Sequence, residues 1–262
     1  MTPDGSEAPA ERRPLIEHLE ELRGRLWWCV LAVMAGAGLT YAARESLLAW
    51  LLAPVGEVVF TSVAEPLLVE LKLAAWGGVL LGSPMMLWQT WEFVSAGLSS
   101  RERRLVNWWL PVSLILFAAG AWVGLTRLVP LAVRFFLSMA SGQMLPMISV
   151  SHYLGFAGSL MLACGVVAQT PLVVTLLASL GIVTPAFLLH HWRGALVGSF
   201  VVAAVVTPTP DVVTQTLLAG PLVALYFGSI GLAALLRPWL RAREMTPRAP
   251  LAGLLGAGHD AR

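Results

Sequence analysis

At 262 residues, 57% of them hydrophobic and 12% charged, with a mean hydropathy of +0.76, this chain is too apolar for a soluble domain and reads as a polytopic membrane protein. A soluble chain of this length would carry roughly twice the charge, and the net charge of +2 says little until its distribution is mapped. No nucleic-acid partner is expected.

In chain order, a Pro/Ala-rich tail over 1–13 is expected to be disordered. Leu15, Leu19, Leu22 and Leu26 then recur at helical spacing, which predicts an amphipathic helix running into the first apolar segment. Six such segments emerge, near 26–43, 67–95, 105–137, 153–181, 194–207 and 212–236. The first follows a polar, acid-rich leader without a small-residue cleavage site, so it is expected to be retained. A bilayer core of about 30 Å needs about 20 apolar residues, and five segments supply them. The fifth, at 14 residues, rises only about 21 Å, so either the bilayer thins there or the span lies embedded between neighbours. External loops are predicted at 44–66 and 138–152, with a tight turn at 208–210. A second tail, 241–262, is also expected to be disordered, leaving a membrane domain over 14–240.

Orientation follows from the basic residues. With the N-terminus cytoplasmic, that side holds 13 of the 17 Lys+Arg, and the other holds only Arg44, Lys72, Arg127 and Arg134. This asymmetry predicts that both termini are cytoplasmic. Trp27, Trp28, Trp88, Trp91, Trp108, Trp109, Trp192 and Trp239 fall at the same interface as an aromatic belt. Pro84, Pro171 and Pro221 lie inside spans and are expected to kink them. The pairs Gly78/Gly82, Gly120/Gly124 and Gly194/Gly198 match G-x-x-x-G, read here as close packing within the chain. The fold expected is therefore an all-α membrane protein of six transmembrane helices in a kinked, rigid bundle.

Catalytic patterns are missing. No Gly-x-x-x-x-Gly-Lys motif and no Ser/His/Asp or Cys/His set stands out. Cys29 and Cys164 sit in apolar runs as small hydrophobes, and adjacent His190 and His191 do not make a metal pair. Neither enzyme chemistry nor a cofactor is expected. Charge instead concentrates in two patches, His18-Leu19-Glu20-Glu21-Leu22-Arg23-Gly24-Arg25 and Ser99-Ser100-Arg101-Glu102-Arg103-Arg104. On one membrane face, their carboxylates offer a docking site for something positive. Each glutamate also has a plain structural reading: Glu21 lies four residues before Arg25 as a helix-surface pair, and Ser99-x-x-Glu102 fits a capping box. Within the spans, Gln169 beside Thr170-Pro171 is a costly polar group and so a functional candidate, or else it satisfies the carbonyl that the proline frees. Thr214 and Gln215 open the sixth segment after Asp211, which suits an N-cap.

These stretches together resemble the TatC family, the multispanning subunit of the twin-arginine protein translocase. The likeness rests on His18 to Arg25, on Ser83-Pro84-Met85-Met86-Leu87-Trp88-Gln89-Thr90-Trp91-Glu92-Phe93 leading to Gly97-Leu98 and Glu102-Arg103-Arg104, and on Gln169-Thr170-Pro171. It continues through Gly181-Ile182-Val183-Thr184-Pro185, Thr207-Pro208, Pro210-Asp211, Gln215 to Leu218 and Pro221. The resemblance implies a cup-shaped receptor in the bacterial cytoplasmic (inner) membrane that binds twin-arginine signal peptides of folded cargo. It also implies self-association in a larger complex, TatA-like and TatB-like single-span partners, and transport driven by the proton-motive force. Glu21 and Glu102 match the family's docking glutamates, and Arg23, Phe93 and Arg103 lie in the same matching stretches. Gln169, Asp211, Thr214 and Gln215 fall in its polar intramembrane and partner-contact regions. A guanidinium fork suits carboxylate acceptors in a way lysine cannot reproduce. Two charge-assisted contacts of roughly 1.5–3 kcal/mol each would give on the order of 10²–10⁴ in affinity. The chain departs from the family at Gln169, where many members carry glutamate. Two rivals remain: a small-solute transporter, which predicts inverted repeats not visible here, and a structural scaffold that would tolerate Glu102→Gln.

Overall fold

The computed structural model describes residues 12–53, 55, 58–96, 100–139, 147–179, 181–206 and 211–244, with side chains described at 20, 22–53, 55, 58–95, 109–139, 147–179, 181–205 and 211–235. Long apolar runs have one stable solution in a bilayer, the helix that satisfies its own backbone. The helices are α1 (Arg12–Ala42), α2 (Arg44–Leu52), α3 (Glu65–Ala96), α4 (Ser100–Val123), α5 (Val129–Met139), α6 (Val150–Val167), α7 (Thr170–Ser179), α8 (Pro185–His190), α9 (Trp192–Val206) and α10 (Val212–Glu244). Five stretches are long and apolar enough to cross a membrane: Leu22–Ala42, Glu65–Ser95, Trp109–Met139, Val150–Ser179 and Val212–Leu235. The apolar helix Trp192–Val205 is shorter, as the sequence predicts. Helix α1 begins at Arg12 and α10 runs to Glu244. The remainder of both tails and the turn at 208–210 lie outside the described residues.

Three features depart from a plain six-segment reading. The first external loop contains α2 and a short strand β1 (Val58–Val59), which pairs in parallel with β2 (Ile148–Ser149) of the second loop. A π-helical turn, Gly124–Leu128, joins α4 to α5. It is closed by Val129 N–H, which donates to the Gly124 carbonyl oxygen five residues back, just ahead of Pro130, which has no N–H to offer. Finally, the fourth segment divides into α6 and α7 just before Pro171, and the other two prolines expected to kink spans, Pro84 and Pro221, lie inside α3 and α10.

Glycines set how closely the helices approach. A Cβ on Gly78 would lie 2.8 Å from the Val33 carbonyl oxygen and 2.9 Å from Ala37 Cβ, and one on Gly36 would meet the Gly78 carbonyl oxygen at 2.9 Å. Helices α1 and α3 therefore cross antiparallel, backbone against backbone. Gly120 and Gly124 seat against Cys164 of α6 in the same way, and Gly158 seats against the Trp76 ring. Two of the three predicted glycine pairs thus pack within the chain. The third does not: among the described residues nothing lies within 4 Å of a Cβ at Gly194 or Gly198. The main core gathers Val129, Tyr153, Ala157, Leu160, Cys164, Leu218 and Ala219, where α5, α6 and α10 converge. Leu26, Trp27, Met34 and Leu39 of α1 stay exposed, as befits a lipid-facing surface.

Candidate functional site

Polar contacts occur at several levels of the bundle. At one end, Arg25 of α1 donates from Nη1 to Gln89 Oε1 of α3 at 3.2 Å, and the Trp91 ring of α3 meets the Trp109 ring of α4 edge-on at 6.2 Å. The three helices that carry the predicted docking residues are tied together by these two contacts. Glu21 lies one turn before Arg25 on α1, Phe93 one turn after Gln89 on α3, and Glu102 and Arg103 in the opening turn of α4. Arg23 is exposed and Phe93 half-buried. The side chains of Glu21, Glu102 and Arg103, and the whole of Ser99, lie outside the described residues.

Deeper in the bundle, Gln169 makes a two-ended bridge. Its Nε2 donates to the Ser113 carbonyl oxygen at 2.9 Å, and its Oε1 accepts from Ser113 Oγ at 2.9 Å. The same hydroxyl accepts from Trp91 Nε1 at 3.0 Å, so one triad, with Trp91 and Ser113 buried and Gln169 half-buried, joins α3, α4 and the α6–α7 junction. Gln169 is therefore not the group that satisfies the proline-freed carbonyl. That carbonyl, on Val167, accepts from Thr170 Oγ1 at 2.7 Å, and in α3 the carbonyl that Pro84 frees, on Leu80, accepts from Ser83 Oγ at 2.7 Å. Sequence reasoning singled out Gln169 but missed Ser113, whose only signal is a hydroxyl in an apolar run. At the start of α10, the Asp211 carboxylate accepts from Thr214 N at 2.7 Å and from the Thr214 hydroxyl, the N-cap geometry anticipated. Gln215 Nε2 donates to the Phe200 carbonyl oxygen at 2.8 Å, which ties α10 to α9.

The opposite end holds a cluster that sequence reasoning did not single out. Glu65, 2% exposed, accepts from Thr61 N and Oγ1, Ser62 N, Ser149 Oγ and Ser151 N. One carboxylate thus gathers both interhelical loops beside the β1–β2 pair. Lys72 completes the cluster by donating to Ser151 Oγ at 2.7 Å and to its carbonyl oxygen at 3.0 Å. Among the described residues no group of three or more His, Cys, Asp or Glu side chains could hold a metal ion.

Helical spans, intrahelical backbone satisfaction and polar contacts shared among helices define a multi-pass α-helical membrane protein. Comparison with known proteins specifies it further. The family model described as Sec-independent protein translocase protein (TatC) matches residues 17–221. The Sec-independent protein translocase protein TatC of Carboxydothermus hydrogenoformans is 38% identical over 228 residues, which is 86% of this chain and 94% of that protein. The chloroplastic TATC of Arabidopsis thaliana is 39% identical over 233 residues, covering 87% of this chain and 68% of that one. A crystal structure of the twin-arginine translocase receptor TatC superposes with a TM-score of 0.74 at 34% identity, covering 83% of this chain and 98% of that one. The chain belongs to the TatC family, the membrane subunit of the Sec-independent, twin-arginine protein translocase. Its function is translocation, not catalysis.

Proposed function

We propose that this chain is the signal-peptide receptor of a twin-arginine translocase in a bacterial cytoplasmic membrane, with both termini on the cytoplasmic side. The observation that carries this reading is the binding together of α1, α3 and α4 at one end through Arg25–Gln89 and Trp91–Trp109. It makes a common frame for Glu21, Arg23, Phe93, Glu102 and Arg103. A rigid frame matters because two carboxylates recognise two guanidinium forks by spacing as well as by charge. Arg103 and Arg104 follow Glu102 in the sequence and repel cationic cargo, so geometry rather than net field discriminates arginine from lysine.

Single-span TatA-like and TatB-like chains are the proposed partners, with the short α9 and the start of α10 as their contact region. The two intramembrane glutamines support that division. Gln169 has both ends of its amide bonded to Ser113, whereas Gln215 uses an amide N–H on Phe200 and, among the described residues, its oxygen accepts no side-chain hydrogen bond. The Gly194/Gly198 face of α9, exposed at Gly194 and half-buried at Gly198, leaves room for close approach. Self-association and coupling to the proton-motive force belong to the same reading.

The test is site-specific crosslinking of the membrane-embedded chain to a twin-arginine signal peptide beside its twin-lysine version, with Glu21→Gln and Glu102→Gln in parallel. Arginine-dependent crosslinks lost in both variants are expected. Equal crosslinking of the two peptides, or indifference to both substitutions, would overturn the assignment of these carboxylates.

A further inference from the structure

At the Glu65 end, an open cleft of about 430 Å³ lies between α3, α5 and the start of α6. Its walls are apolar, with Val133, Phe136 and Leu137 from α5 and Phe156 from α6, and the two phenylalanine rings meet edge-to-face at 6.4 Å. Its polar end is made by Lys72, Ser151 and His152, the last with its Nδ1 2.9 Å from Ser149 Oγ. Lys72 is the only lysine in the chain and is half-buried. An ammonium has three donors. Two go to Ser151, and among the described residues the third has no acceptor. The nearby Glu65 carboxylate faces donors from Thr61, Ser62, Ser149 and Ser151, and among the described residues Lys72 forms no ion pair. Gly155, one turn along α6, places no side chain beside the ammonium: a Cβ built there would lie 3.7 Å from Nζ.

Depth matters as much as chemistry. Lys72 lies seven residues into α3, about 10 Å along its axis, and Ser151 is in the first turn of α6. The charged end therefore sits near the mouth of the bundle, and the phenylalanine-lined walls continue beside it. A cation over an apolar slot at that level matches an anionic phospholipid, whose phosphate lies at the interface and whose acyl chains run inward. A water-soluble anion would gain nothing from the apolar walls, and a choline headgroup would bring its own cation against Lys72.

We infer that the Lys72 cleft is a binding site for one anionic phospholipid of the leaflet opposite the proposed signal-peptide face. The lipid phosphate accepts the third Lys72 N–H, and an acyl chain lies against Phe136 and Phe156. The site stands apart from the proposed docking residues and does not depend on them.

The experiment uses the full chain, purified in detergent and stripped of lipid. Phosphatidylglycerol or phosphatidylcholine is titrated in, and retained lipid is read by native mass spectrometry. Selective retention of one phosphatidylglycerol is expected. Lys72→Gln is expected to weaken it about tenfold or more, the factor that one charge-assisted hydrogen bond is worth, while Lys72→Arg keeps it. Because there is one lysine, amine-specific labelling mapped to Lys72 provides a readout on the unmutated protein, independent of how the variants fold. Phosphatidylglycerol is expected to slow that labelling, and phosphatidylcholine or inorganic phosphate is not. Equal retention of the two lipids, wild-type retention in a folded Lys72→Gln, or equal protection by inorganic phosphate would each overturn the inference.

Discussion

Ser113→Ala is the sharpest perturbation of the Trp91–Ser113–Gln169 triad. Ser113 is 0% exposed, so no water replaces the lost hydroxyl. Alanine removes the bond to Gln169 Oε1 and strands Trp91 Nε1–H, while the Gln169 Nε2 bond to the residue-113 carbonyl survives. Side-chain hydrogen bonds inside membrane bundles average about 0.6 kcal/mol and reach about 1.7. Two of them give about 1–3 kcal/mol, and a stranded indole N–H in a dry site pushes the total toward the upper part of that range. Trp91→Phe removes only one of these bonds, although it also changes ring packing against Trp109. A cycle of Ser113→Ala with Gln169→Leu isolates the hydroxyl–amide contact, with an expected coupling of about 0.6–1.7 kcal/mol. The assay is reversible unfolding in mixed micelles titrated with sodium dodecyl sulfate and followed by far-UV circular dichroism. A Ser113→Ala variant within about 0.3 kcal/mol of wild type, well below even one average bond, or a strictly additive double variant, would refute the triad as a stabilising unit.

Two further predictions use the same assay or its relatives. Gly78→Ala drives a Cβ against the Val33 carbonyl and Ala37 and is expected to cost about 1–3 kcal/mol by overpacking, whereas Gly38→Ala, with nothing within 4 Å, is expected to be neutral or slightly stabilising. Equal effects would show that α1 and α3 do not approach at Gly78. Glu65→Ala removes the acceptor shared by both loops and leaves Ser151 N–H, in a buried setting, without its carboxylate. Faster amide exchange at Val58 and Val59 is expected, with a global loss of about 1–3 kcal/mol. Unchanged exchange would mean that the β1–β2 pair holds without the carboxylate.

The spans were legible because hydropathy in a bilayer is an energetic requirement, and the brevity of the fifth survives in α9. The N-cap at Asp211 was legible as well, because capping is local and uses residues three apart. Glu65 was not. Its partners Ser149 and Ser151 are more than eighty residues away, and nothing in a single sequence says that two loops meet. The role of Gln169 was half legible. A polar group at that depth had to have a partner, but choosing between the Val167 carbonyl and Ser113 required knowing that Thr170 already serves the former.

That choice bears on how the bundle holds its shape. A proline inside a span leaves a carbonyl without its helical donor, and hydrocarbon offers no water to replace it. Here the residue just before the proline carries a hydroxyl in both α3 and α7, and in each case it donates to the freed carbonyl, Ser83 to Leu80 and Thr170 to Val167. The distortion is therefore satisfied locally, within one turn, and draws nothing from neighbouring helices. Gln169 is then free to reach across to α4, where its bridge fixes the α6–α7 junction against Ser113. The satisfied Val167 carbonyl and the cross-helix bridge together hold the α6–α7 junction in place. Continued through Ser113 to Trp91, that bridge limits play between α3, α4 and the α6–α7 junction, which is the rigidity that the proposed reading of two arginines by their spacing requires.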